Sequence, residues 1–285
     1  MQIQQSFSSY FKSTGAGGSA KRHSARLTRL LSVALTLVFI AACATSPTGR
    51  RQLVLLDDPE INQMGAEAFE EMKKQIPIDR GAGVNGYVNC IVNALLAVTD
   101  DTTGVSQWEV VVFRENSANA FALPGGKIGV HTGILPVART PGQLAAVLGH
   151  EIAHVIARHG NERVSQSQAS NTVLGAVGAV VENEAVLGAI GAGAQFGVML
   201  PFGRAHETEA DVIGQELMAK AGFDPSESVK LWENMAELSG DQPPEIMSTH
   251  PAHDTRISDL REGLTKNLPL YQLAQNEGRR PNCRL

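Results

Sequence analysis

Two histidines four residues apart, His150 and His154, enclose a glutamate that follows the first of them. On an α-helix this spacing stacks both imidazoles on one face, so both rings can reach one ion. Glu151 is then placed to take a proton from a metal-activated water. A catalytic zinc needs a third protein ligand and an open position. The best candidate is Glu207, in Arg204-Ala205-His206-Glu207-Thr208-Glu209-Ala210-Asp211. Asp211 lies one turn further on the same helical face, where it can accept a hydrogen bond from the non-ligating N–H of a zinc histidine and fix its tautomer. Glu209 falls roughly 200° round from Glu207 at ~100° per residue and reads as a solvated carboxylate. His206 is a rival ligand without a partner one turn on. These groups together imply metal-assisted hydrolysis.

Several elements must position them. Thr140-Pro141-Gly142-Gln143 is a capping box with proline at the first helical position, so a helix starts there, carries both histidines and stops at Gly160. Arg158 and His159 read as cations at its negative end. A second helix, Arg204 to Ala221, carries the acids. Trp108 to Phe113, Ala120 to Leu123 and Lys127 to His131 read as strands, the last two joined by a turn at Pro124-Gly125-Gly126. Further helices are expected from an Asp58 cap with Ile61, Met64, Ala68 and Met72 inward, over Val84 to Val98, after Asp224, and near Asp254 to Leu264. Asn171 to Leu200 is rich in Gly, Ala and Val and reads as packed but mobile helices, with a mobile lid or a segment that touches membrane as the rivals.

The first 42 residues carry five basic side chains and no acid. Without them 19 basic face 29 acidic side chains, a balance that argues against a nucleic-acid partner. A basic stretch to Arg29, an apolar run Leu30 to Ile40 and Ala41-Ala42-Cys43 follow the order of a secretory leader. Ile40-Ala41-Ala42-Cys43 resembles a bacterial lipobox, which implies cleavage before Cys43 and lipidation of that residue. The expected layout is a lipoprotein signal peptide over 1–42, a tether over 43–57, a peptidase domain over 58–265 and a C-terminal tail over 266–285. Cys90 and Cys283 are left either as a disulfide, which is favoured, or as two free thiols.

The chain resembles the gluzincin metallopeptidases, the family of HtpX, the CAAX prenyl protease and the mitochondrial Oma peptidases, and especially its BepA- and LoiP-like periplasmic lipoproteins. The matching pieces are Asn119 to Gly126, the His150 motif, Arg204 with Glu207, Ala210 and Asp211, and Ser248-Thr249-His250-Pro251 followed by Arg256. The resemblance implies an α+β, mainly helical zincin-type domain with a small mixed sheet and an active-site helix. It implies one Zn²⁺ per chain on His150, His154 and Glu207, with Glu151 as general base. It brings His250 near the metal, as a closing ligand or an oxyanion stabiliser, with Arg256 in support. Asn119, Ala120, Phe121 and Ala122 would form the edge strand along which an extended substrate lies. The implied function is endoproteolysis of unfolded or misassembled cell-envelope proteins in quality control, with a mostly latent, chaperone-like outer-membrane assembly factor as the alternative. The implied address is the bacterial periplasm, lipid-anchored to the outer membrane. The residues after Leu264 are too few for the helical-repeat domain of the BepA-like proteins, so client delivery is expected to rest on the peptidase domain.

Overall fold

The computed structural model describes residues 43–100, 103–105, 107–178, 200–238, 246–247, 250 and 255–285. The expected signal peptide, most of the Gly-rich segment 171–200, and Ser248, Thr249 and Pro251 of the His250 motif lie outside the described residues. The elements in chain order are β1 (Cys43–Thr45), β2 (Arg51–Leu53), α1 (Asp58–Gln75), α2 (Ala82–Leu96), β3 (Glu109–Phe113), β4 (Ala120–Leu123), β5 (Lys127–His131), α3 (Pro141–Ile156), α4 (His159–Gly178), α5 (Leu200–Ala221), α6 (Ser226–Leu238) and α7 (Arg256–Asn276). This is the expected mainly helical α+β fold.

Helix α3 is the axis of the core. The Thr140 hydroxyl accepts the Gln143 N–H at 3.1 Å, and Pro141 fills the first turn. Gln143 answers one residue early, its Oε1 accepting the Arg139 N–H at 2.8 Å. Every α3 residue from Gly142 to Ile156 is buried, so this helix is covered on all sides. Leu144, Leu148 and Ile152 join Val88, Ile91, Val92 and Leu95 of α2 and Ile128 and Val130 of β5 in one apolar cluster. Side chains of this size contribute roughly 1.5–3 kcal/mol each when fully buried.

The three-stranded sheet runs β3-β5-β4. β3 pairs parallel with β5 and β4 antiparallel with it, so the sheet is mixed and β4 is an edge. The turn from β4 to β5 needs Gly125 and Gly126, whose φ angles are +81° and +71°.

Four expectations change. Asp57, not Asp58, caps α1, accepting the Glu60 N–H at 2.8 Å. The inward stripe of α1 is Ile61, Gly65 and Phe69, while Met64 is 43% exposed, because Gly65 presses onto the Pro124 carbonyl. The expected tether is docked: Ser46 and Gln52 are buried, and Gln52 Nε2 donates to the Ala157 carbonyl. The expected tail is helical as far as Asn276, with Leu260, Asn267 and Ala274 buried at seven-residue intervals through Pro269. Its polar composition and proline hid that stripe. Beyond it Cys283 forms a disulfide with Cys90, with a Cα–Cα distance of 5.6 Å. Among the described residues no helix is long and apolar enough to cross a membrane.

Candidate active site

Helices α3 and α5 cross at a pair of glycines. A Cβ on Gly214 would lie 2.8 Å from the His150 nitrogen, and one on Gly149 would lie 3.0 Å from the Gly214 carbonyl oxygen. Only backbones this close bring the acids of α5 against the histidines of α3. Asp211 and Glu207 sit three and seven residues before Gly214, on one helical face.

Four side chains converge: donor atoms of His150, His154, Glu207 and His250 all lie within 4.8 Å of one another, and all four residues are buried. His150 Nε2 is 3.0 Å from His154 Nε2, 3.2 Å from Glu207 Oε2 and 3.2 Å from His250 Nδ1. Glu207 Oε1 is 3.5 Å from His154 Nε2 and 3.1 Å from His250 Nδ1. Ring nitrogens crowded this closely cannot all satisfy one another with protons. One divalent cation accepts every lone pair at once, and two imidazoles with a carboxylate are a donor set suited to zinc. The residues present therefore fit the metal.

Supports surround this cluster. Asp211 Oδ1 is 2.9 Å from His150 Nδ1. Arg256, 1% exposed, donates from Nη2 to Asp211 at 2.7 Å and from Nη1 to Glu207 at 3.2 Å. Its guanidinium lies 3.6 Å from the centre of the Trp232 ring, a cation–π contact. Burial opposes charge on His150, yet the bonds to Asp211 and Glu207 raise it to about 9. Burial, then the charge of His150, hold His154 well below its ordinary value. Glu207 is held far below the carboxylate range: burial opposes this, but hydrogen bonds to His150 and His250 prevail.

Glu151, 2% exposed, joins the cluster to the edge strand. Its Oε2 accepts the Ala122 N–H at 3.1 Å, and its Oε1 is 3.3 Å from His250 Nε2. Phe121, Ala122 and Leu123 of β4 line a groove of about 560 Å³ together with Glu151, His154 and His250. Ala120 is fully buried, and Asn119, 7% exposed, accepts the His131 N–H on its carbonyl.

Two readings of individual residues fail. Glu209 is not solvated: it is 4% exposed and paired with Arg50, Thr48 and His159. It does point away from Glu207, but the segment after β1 and helix α4 cover that side. His206, the rival passed over for Glu207, is bonded elsewhere, its Nε2 lying 2.9 Å from Glu162 Oε2. Helix α3 ends at Ile156, and Arg158, at φ +55°, turns the chain into α4 and pairs with Asp58. His159 is therefore buried inside the protein, where desolvation lowers it to about 4. Arg50, Glu162 and Trp232 also escaped notice, since no local spacing marks them.

A sequence profile of Peptidase family M48 matches residues 83–264. The chain belongs to peptidase family M48. Similar M48 proteins include the mitochondrial metalloendopeptidase OMA1 of Schizosaccharomyces pombe, 39% identical over 62% of this chain and 52% of that protein. The OMA1 protein of Bos taurus is 32% identical over 75% of this chain and 44% of its own length. The β-barrel assembly-enhancing protease of Escherichia coli is 27% identical over 73% of this chain and 44% of its own. The chain thus spans about half the length of the curated relatives it matches. The narrower BepA- and LoiP-like assignment is not singled out, because OMA1 proteins reach 36–39% identity. The mitochondrial relatives overturn the expected bacterial periplasmic, outer-membrane address. The sequence misled because an acid-free leader rich in Arg and Ser is also the composition of an organellar transit peptide.

Proposed function

We propose that this M48 protein is a zinc-dependent endopeptidase in which His150, His154 and Glu207 hold one zinc ion and Glu151 is the general base. The position of Glu151 carries this reading, since its carboxylate spans from the donor cluster to the amide of the edge strand. Zinc, when bound, supplies the charge that polarises a scissile carbonyl and acidifies the attacking water. Glu151 takes that water's proton and passes it to the leaving amine. An extended peptide added to β4 would take over the Ala122 N–H with its own carbonyl, releasing Glu151 as substrate arrives. His250, beside Glu207 and Glu151, is placed to steady the anion that develops on the carbonyl oxygen. Arg256 and Asp211 hold the rings and carboxylate in register. Recognition through a strand edge needs an unfolded stretch of backbone, which suits unfolded or misassembled polypeptides and a role in protein quality control.

Glu151→Gln is expected to keep zinc while cleavage of an unfolded protein such as casein falls by roughly 10²–10⁴-fold. Zinc analysis and a cleavage assay on one preparation check this, and normal turnover by the variant would remove Glu151 as the base. The Glu151–Ala122 bond also favours a second reading, a chaperone-like groove binder whose proteolysis is latent at rest. Complementation of a deletion strain by Glu151→Gln would select it.

A further inference from the structure

His154 is supported differently from His150, and the support leads out of the M48-matched region. Its Nδ1 is 2.8 Å from His159 Nδ1, and His159 Nε2 is 3.1 Å from Glu209 Oε2. Glu209 is in turn fixed by the Thr48 hydroxyl at 2.5 Å and by Arg50 Nε at 2.9 Å. Arg50 also makes a two-pronged bond to Glu162, at 2.9 and 2.7 Å. His159 and Glu209 are 1% and 4% exposed, so water does not compete for these bonds.

For neutral imidazoles the hydrogen-bond pattern allows one self-consistent set of tautomers. A carboxylate only accepts, so His159 Nε2 must carry a proton. A neutral His159 then has a bare Nδ1, which can only accept. His154 must therefore be protonated on Nδ1, which leaves its Nε2 bare and facing the donor cluster. We infer that Glu209 and His159 are positioning residues that set His154 as a metal ligand, and that Thr48 and Arg50 make the chain before α1 part of the metal site. This rests on the zinc assignment made above. It assigns to Glu209 and His159 together what Asp211 does alone for His150.

The test uses the full zinc-loaded chain and reads zinc release to a chelator, the visible spectrum of the cobalt-substituted protein, and imidazole ¹⁵N shifts. In Glu209→Gln the amide can donate to His159 Nε2 and reverse the chain of donors. Zinc affinity should fall 10–100-fold and the cobalt spectrum should change. His159→Gln keeps an acceptor towards His154 and a donor towards Glu209, so it should hold zinc within a few-fold of wild type. His159→Phe fills the space without either group and should lose as much as Glu209→Gln. A purely structural role predicts no such split between glutamine and phenylalanine. Wild-type zinc release in both Glu209→Gln and His159→Phe overturns the relay, as does a wild-type spectrum with His154 protonated on Nε2. That spectrum decides the question even where a variant fails to fold. A wild-type chain that binds no zinc refutes the metal assignment instead, and the ¹⁵N tautomers of His154 and His159 still judge the relay.

Discussion

The two histidines of α3 are one turn apart, yet they are held at different depths. His150 meets its carboxylate directly: Asp211 is 2.9 Å away and is braced by Arg256, which lies on Trp232. His154 reaches a carboxylate only through a second imidazole, and that carboxylate is braced by residues 48 and 50. The first support is built from α5, α6 and α7, inside the span matched by the family profile. The second borrows from a segment more than thirty residues before that span begins. One helix thus presents two like ligands whose geometry depends on different parts of the chain, so damage to each should be separable.

The largest separation is expected at the helix crossing. Gly214→Val places a branched side chain where even a Cβ meets the His150 backbone at 2.8 Å. Overpacking of this kind costs typically 1–3 kcal/mol, and here the strain falls on the spacing of α3 and α5. Stoichiometric zinc should be lost while the His159–Glu209 contacts, on the other side of α5, persist. Zinc analysis with denaturant unfolding checks this, and a fully metallated Gly214→Val of wild-type stability would refute the crossing as the device that sets the site. The next effect in size is Asp211→Asn, which keeps shape and removes charge. Zinc affinity should fall about 10–100-fold, through His150 and through the Arg256 that Asp211 shares with Glu207. A cobalt spectrum identical in Asp211→Asn and Glu209→Gln would mean that the two supports are not distinct.

Sequence legibility follows the same division. Asp211 was readable because i and i+4 on one helix share a face, and Glu207 because a third ligand had to stand near it. Strands β4 and β5 are readable to the residue because the turn at Pro124-Gly125-Gly126 separates them. Glu209 was misread because helical geometry tells which way a side chain points but not what covers that side. The cover is Thr48 and Arg50, about 160 residues away in sequence. His159 reads as a helix-terminal cation because Gly160 looks like the stop of the helix that carries His154. The break at Arg158 depends on a left-handed residue that is not glycine, which composition does not announce. Gly149 and Gly214 are single glycines in helices, and only the crossing gives them a purpose.

The smallest expected effect distinguishes the supports by acid rather than by mutation. Burial alone would raise Glu162, but hydrogen bonds from His206 and Arg50 hold it at about 2, against an ordinary 4.5. A carboxylate depressed on folding adds stability that is complete above its unfolded value and lost as pH falls through its folded one. The Arg50–Glu162 link should therefore be at full strength at neutral pH and weaken from about pH 4.5 towards 2. Denaturant unfolding of wild type and Glu162→Gln across that window measures it. The stability difference between them should shrink steadily as the pH is lowered. A difference independent of pH would mean that Glu162 acts by packing alone, and that the segment carrying Arg50 is held by contacts such as Gln52 to the Ala157 carbonyl rather than by charge.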